Sequence, residues 1–83
     1  MYNKTAPLQM RKTIVANIKA ILEGKERNVY WLSKHSGITQ PTLSQYMNYK
    51  RTPTIYNLWR IAGTLHVTVD RLFMGLNRSN IDA

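Results

Sequence analysis

The residues of this chain that could do chemistry are few, and most of them suit recognition better than catalysis. There is no cysteine, which excludes disulfides and thiolate metal sites. His35 and His66 are isolated, without the neighbours of a metal site or an acid–base pair. No glycine motif for cradling phosphate is present. His35 and Asp70 are better explained as surface charges placed at a helix end and a helix start, where the helix dipole favours them. The expectation is therefore no enzyme, no metal and no cofactor. A different chemistry is offered by Gln40, Pro41, Ser44 and Gln45, a polar stretch without charge. A glutamine amide carries a donor and an acceptor side by side, which matches adenine N6 and N7 in the major groove of DNA. Ser44 can donate or accept, and the Pro41 ring can pack on a thymine methyl. Just downstream, Lys50 and Arg51 supply mobile positive charge of the kind that positions a protein on phosphates without reading sequence.

Something must hold those side chains in one groove. The chain has 83 residues, enough for one domain with a modest core. Twelve basic and four acidic residues give a net charge of +8. A strongly basic small domain fits a polyanionic partner, although charge alone is equally compatible with solubility. The excess is concentrated in the first two-thirds: residues 1–27 hold six basic and two acidic residues, 28–53 hold three basic and no acidic ones, and 54–83 hold three and two. There is no long apolar run and no secretory pattern, so a soluble intracellular protein is expected, with no membrane partner.

Periodicity predicts helices throughout. Ile14, Ile18, Ile21 and Leu22 share one face of a helix over about Pro7 to Glu23. Pro7 suits its first turn, and Gly24 suits a left-handed stop. Asn28 can cap a second helix to about His35, with Val29, Leu32 and Ser33 inward. Ser36-Gly37-Ile38 breaks that helix, with Gly37 free to take a positive φ. A third helix runs from about Gln40 to Met47 or Asn48, with Leu43 and Met47 or Tyr46 inward. Asn48 to Pro53 reads as a basic loop. Thr54 can cap a fourth helix in which Ile55, Leu58, Ile61, Ala62 and Leu65 form an apolar stripe. Thr68 caps a short fifth helix with Val69, Leu72 and Phe73 inward, ending at Gly75.

The segment Leu32-Ser33 … Gly37-Ile38-Thr39-Gln40 … Leu43-Ser44 … Tyr46 … Pro53 … Leu58 … Ile61-Ala62 … Leu65 … Val67-Thr68-Val69-Asp70 … Leu72 resembles the lambda repressor and Cro-like (XRE-type) helix-turn-helix family over about Asn28 to Gly75. The resemblance implies an all-α fold, a compact bundle of five helices in which the second crosses the phosphate backbone and the third enters the major groove. It divides the chain into a basic N-terminal arm (1–6), a helix-turn-helix DNA-binding domain (7–75) and a C-terminal tail (76–83). By position it aims Gln40, Pro41, Ser44 and Gln45 at base edges, and Asn28, Asn48, Lys50 and Arg51 at phosphates. The blander reading of the first group is a solvated helix face, but such a face more usually carries Lys and Glu. The blander reading of Lys50 and Arg51 is ordinary loop charge.

Three positions depart from the family pattern. Val29 stands where many relatives carry glutamine. Tyr49 replaces the usual loop glycine, and tyrosine is strained if that position needs a positive φ. Pro41 disfavours a helical conformation at Gln40. Either Thr39 caps the third helix with Gln40 at its first position, or Gln40 is the cap and Pro41 falls at the first position, where proline is welcome. The second arrangement is favoured on these local grounds.

The resemblance also implies a cytoplasmic, nucleoid-associated transcription regulator of phage or plasmid type. It would act as a Cro-like repressor, a homodimer on a two-fold symmetric site of double-stranded DNA with half-sites about 34–36 Å apart. At this length no effector domain is expected, which leaves control to concentration or a protein antagonist. An alternative class is an antitoxin or accessory interaction protein whose main partner is a toxin or another protein. Tyr30, Trp31 and Trp59 are the candidate dimer or partner surface, because exposed aromatics on a small domain suggest contacts. Each can equally cover the rim of a small core.

Overall fold

The computed structural model describes residues 6–75. The expected tail, and the expected arm apart from Ala6, lie outside the described residues. The described residues form α1 (Ala6–Gly24), α2 (Val29–Ser36), α3 (Gln40–Met47), α4 (Ile55–Leu65) and α5 (Val69–Leu72), with no strand among them. The all-α reading stands, and Ala6 joins α1 in place of the arm.

One core serves all five helices. From α1 it takes Ile14, Val15, Ile18, Ile21 and Leu22, from α2 Leu32, and from α3 Leu43, Tyr46 and Met47. Leu58, Ile61, Ala62 and Leu65 of α4, Leu72 of α5 and Ile38 of the α2–α3 turn complete it. α2 packs on both α3 and α4, so the two helices bearing the candidate site share one platform. α1 is tied to the far end of the chain by Asn17, whose Nδ2 donates to the carbonyls of Leu72 (2.7 Å) and Met74 (2.8 Å).

Ile55 is a correction to the sequence reading. The expected α4 stripe contained it, yet it is 74% exposed. It occupies the first helical turn, next to the Thr54 cap. Helical periodicity places a residue on a face, but a core face extends only as far as a neighbouring element covers it.

The helix ends show a second correction. Gly24 remains helical, and the left-handed position after α1 falls two residues later at Glu26 (φ 56°). There Arg27 N–H donates to Leu22 O (2.9 Å) and Glu26 N–H to Glu23 O (3.0 Å), the paired bonds of a Schellman closure. α3 closes the same way around Tyr49 (φ 62°), with Lys50 N–H on Gln45 O (2.8 Å) and Tyr49 N–H on Tyr46 O (3.0 Å). α4 does so around His66 (φ 60°). The position held by Tyr49 therefore does require a positive φ, and the chain meets it with a tyrosine. The left-handed conformation costs a residue with a Cβ roughly 1–2 kcal/mol, while glycine adds roughly 0.5–1 kcal/mol of unfolded-chain entropy. Tyr49→Gly is accordingly expected to raise stability by about 0.5–1 kcal/mol. Urea unfolding checks this, and a lower midpoint would show that the ring's contacts outweigh the strain.

Candidate nucleic-acid interface

The turn between α2 and α3 sets the angle of the candidate reading helix. Asn28 caps α2, its Oδ1 accepting from the Trp31 N–H (2.8 Å). α2 ends at Ser36, and Gly37 follows with φ 80° while its N–H donates to Ser33 O (3.1 Å). Two serines then fasten the turn. Ser33 Oγ donates to Ile38 O (2.7 Å), and Ile38 N–H donates to Ser36 Oγ (3.1 Å). Ile38 plugs the core beneath. A Cβ at Gly37 would meet the guanidinium of Arg60, which lies over the turn from α4. Gly37 is needed for its φ, since the flexible end of the Arg60 side chain can move aside.

Thr39 is the cap of α3, against the locally favoured alternative of Gln40. Its φ is −63° and ψ 150°, and its Oγ1 accepts from the Thr42 N–H (3.4 Å) while donating to Thr42 Oγ1 (2.9 Å). Gln40 is thus the first helical residue and Pro41 the second. Pro41 still wastes no intrahelical bond there, since the first four N–H groups of a helix have no partner within it. A threonine cap is typically worth about 1 kcal/mol, and here it outweighs the restriction Pro41 places on Gln40.

α3 has two contrasting faces. Leu43, Tyr46 and Met47 are buried. Gln40, Pro41, Ser44 and Gln45 are exposed, as are Asn28, Asn48, Lys50 and Arg51 around them. The rear face is pinned by more than apolar packing, because the Tyr46 hydroxyl accepts a 2.7 Å bond from Asn57 Nδ2 on α4. Nothing in the sequence pattern pointed to Asn57; only the turn-by-turn register of α3 against α4 brings the pair together. On the α3–α4 loop, Arg11 of α1 donates through Nη1 to Thr52 Oγ1 (3.1 Å), and Pro53 is buried. The basic loop is thereby anchored at its C-terminal end.

The three aromatic candidates differ in setting. Trp59 is 64% exposed and stacks on Tyr56 (6.1 Å between ring centroids, 26°), which is also exposed. With Ile55 they form an apolar patch on α4, a patch the sequence reading had only through Trp59. Tyr30 is exposed, with Lys34 Nζ 5.4 Å from its ring centre. Trp31 is half-buried against the core, with the His35 ring at 4.6 Å and the Arg27 guanidinium at 5.2 Å. Cation–aromatic pairs of this kind contribute about 0.5–1 kcal/mol at exposed sites.

No described residues form a group of acidic, histidine or cysteine side chains able to hold a metal ion, and no described helix is long and apolar enough to cross a membrane. No match to the chain was found among curated proteins or solved structures. A family model described as Helix-turn-helix matches residues 18–72, well over half of the chain, and takes in α2, the turn, α3 and α4 in full. A capped helix, a glycine turn and a second capped helix with a polar outer face, all on one core, account for that match, and the chain belongs to the lambda repressor and Cro-like helix-turn-helix family of DNA-binding transcriptional regulators.

Proposed function

We propose that the protein is a Cro-like repressor that binds a two-fold symmetric operator as a homodimer. The observation that carries this reading is the outer face of α3, where Gln40, Pro41, Ser44 and Gln45 are all exposed and none is charged. In this reading they face base edges in the major groove. Asn28, Asn48, Lys50 and Arg51 meet the flanking phosphates and set register. The second copy docks through Ile55, Tyr56 and Trp59. That patch starts in the first turn of α4, which the Asn57–Tyr46 bond ties to the back of α3. Reading helix and dimer contact are therefore rigidly related, as fixed half-site spacing demands.

Selection from random duplex DNA at near-physiological salt tests the proposal. One two-fold symmetric motif is the expected outcome. Recovery of no motif, with binding that depends only on salt, would instead favour an antitoxin or accessory protein held mainly by a protein partner. On the selected site, Gln45→Ala is expected to cost about 1–3 kcal/mol and relax preference at one base pair. An equal loss on every sequence would remove Gln45 from the readers. Lys50→Ala is expected to weaken all duplexes alike and to lower the slope of log affinity against log salt by about one. A loss confined to one sequence would make Lys50 a reader.

A further inference from the structure

Arg11 lies half-buried on α1, and its Nε is buried with no hydrogen-bond partner. Among the described residues the acidic side chains are Glu23, Glu26 and Asp70, and none forms an ion pair with it. Its bond is to a neutral group, the Thr52 hydroxyl, from Nη1 to Oγ1 at 3.1 Å. A charge taken partly out of water is ordinarily matched by an opposite one, because desolvation costs it hydration that only a counter-charge restores. Here the surroundings do the reverse. The bond to Thr52 draws the guanidinium beside a loop that already carries Lys50 and Arg51, so three cations from two distant parts of the chain converge. Their mutual repulsion is relieved when an anion enters among them.

The groups left over suit a phosphate. With Nε closed off, the terminal N–H groups at the exposed end of Arg11 remain to meet an acceptor. A guanidinium fork matches two oxygens of one phosphate. The exposed Thr52 hydroxyl accepts from Arg11 and keeps its own proton to donate. Arg11 also stands outside what the family accounts for: the matched segment begins at residue 18, about two helical turns further along α1.

We propose that Arg11 and Thr52 form a phosphate clamp at the edge of the DNA interface, by which the N-terminal half of α1 grips the duplex backbone beside Lys50 and Arg51. The proposal rests on the reading that the loop after α3 meets phosphates, and it adds a contact from a helix to which that reading gave none. A backbone contact adds affinity and register without a base preference.

The test is a titration of the full chain with a mixed-sequence duplex over a series of salt concentrations. Wild type is compared with Arg11→Ala, Arg11→Met, Thr52→Val and Lys50→Ala, the folding of each checked by circular dichroism and urea unfolding. Arg11→Met keeps an apolar stem and a good helix former while removing the charge and the donors. Both Arg11 variants are expected to bind about tenfold more weakly at near-physiological salt, the low end for a hydrogen bond to a charged group. They should also lower the slope of log affinity against log salt by about one per bound subunit, the signature of one lost phosphate contact. Thr52→Val keeps every charge, and should weaken binding about two- to tenfold with the slope unchanged. A loss of affinity in Arg11→Met with the wild-type slope would make Arg11 only a clasp for the loop and overturn the proposal. So would an Arg11→Met protein that binds like the wild type. Lys50→Ala separates the two levels. If it lowers the slope and Arg11→Met does not, the loop meets phosphates and Arg11 does not. If neither moves the slope, the phosphate reading of the loop has itself failed, and the proposal falls with it.

Discussion

Replacing Tyr46 with alanine is expected to remove about 3–5 kcal/mol of stability, the usual range for truncating a buried aromatic residue. Tyr46 is 1% exposed and is the largest of the fully buried side chains. Its loss opens a cavity beneath α3 and also strips Asn57 Nδ2 of its partner. Small domains sit near the bottom of the 5–15 kcal/mol range typical of folded proteins, so the variant should be largely unfolded at 37 °C. Tyr46→Phe separates the two contributions: it keeps the ring and should lose only about 1 kcal/mol for the hydrogen bond. Urea unfolding of both variants measures the difference. A loss below 1 kcal/mol for Tyr46→Ala would show that α3 is not held from behind by this core.

Leu32→Ala is expected to cost about 2–5 kcal/mol and to take DNA binding with it. α2 has eight residues, and Leu32 is its one large side chain that is fully buried, at 0% exposure. Val29 and Trp31 pack only partly against the core. An isolated helix of this length is unstable in water, so α2 exists because Leu32 docks it on α3 and α4. With that anchor gone Ile38 alone holds the turn to the core, and the angle of α3 is no longer fixed. Leu32→Met, which keeps volume, should cost less than about 1.5 kcal/mol and retain binding. Parallel unfolding and duplex-binding titrations decide the matter: an alanine variant that unfolds easily yet binds DNA like the wild type would break the link between this packing and DNA binding.

Much of this architecture was legible in the residue order. Caps depend on a side chain and the backbone two or three positions on, which is why Asn28, Thr54 and Thr68 could be placed by type alone and stand where expected. The buried faces of α1 and α3 followed from the helical repeat, and the turn at Gly37 from the conformations open to glycine. The cap of α3 was harder, because two local preferences opposed each other. The rule for a residue before proline pointed to Gln40, and only the folded backbone shows that the hydroxyl of Thr39 prevails.

Other features were invisible because they arise between elements distant in the chain. Ile55 has the spacing of a core residue and is exposed, since no described helix covers its side of the first turn of α4. Gly24 has the freedom to end a helix, yet the left-handed turn falls on Glu26, where the closing bonds to Leu22 and Glu23 form. Tyr46 finds Asn57, and Arg51 finds Gln45, across loops whose course the sequence does not state. Local hydrogen bonding and helical period, which act over a few residues, determined the helices, most of their caps and the polar outer face of α3. Packing between helices, which acts across the whole chain, decided which apolar residues remain exposed and which polar side chains distant in the chain meet.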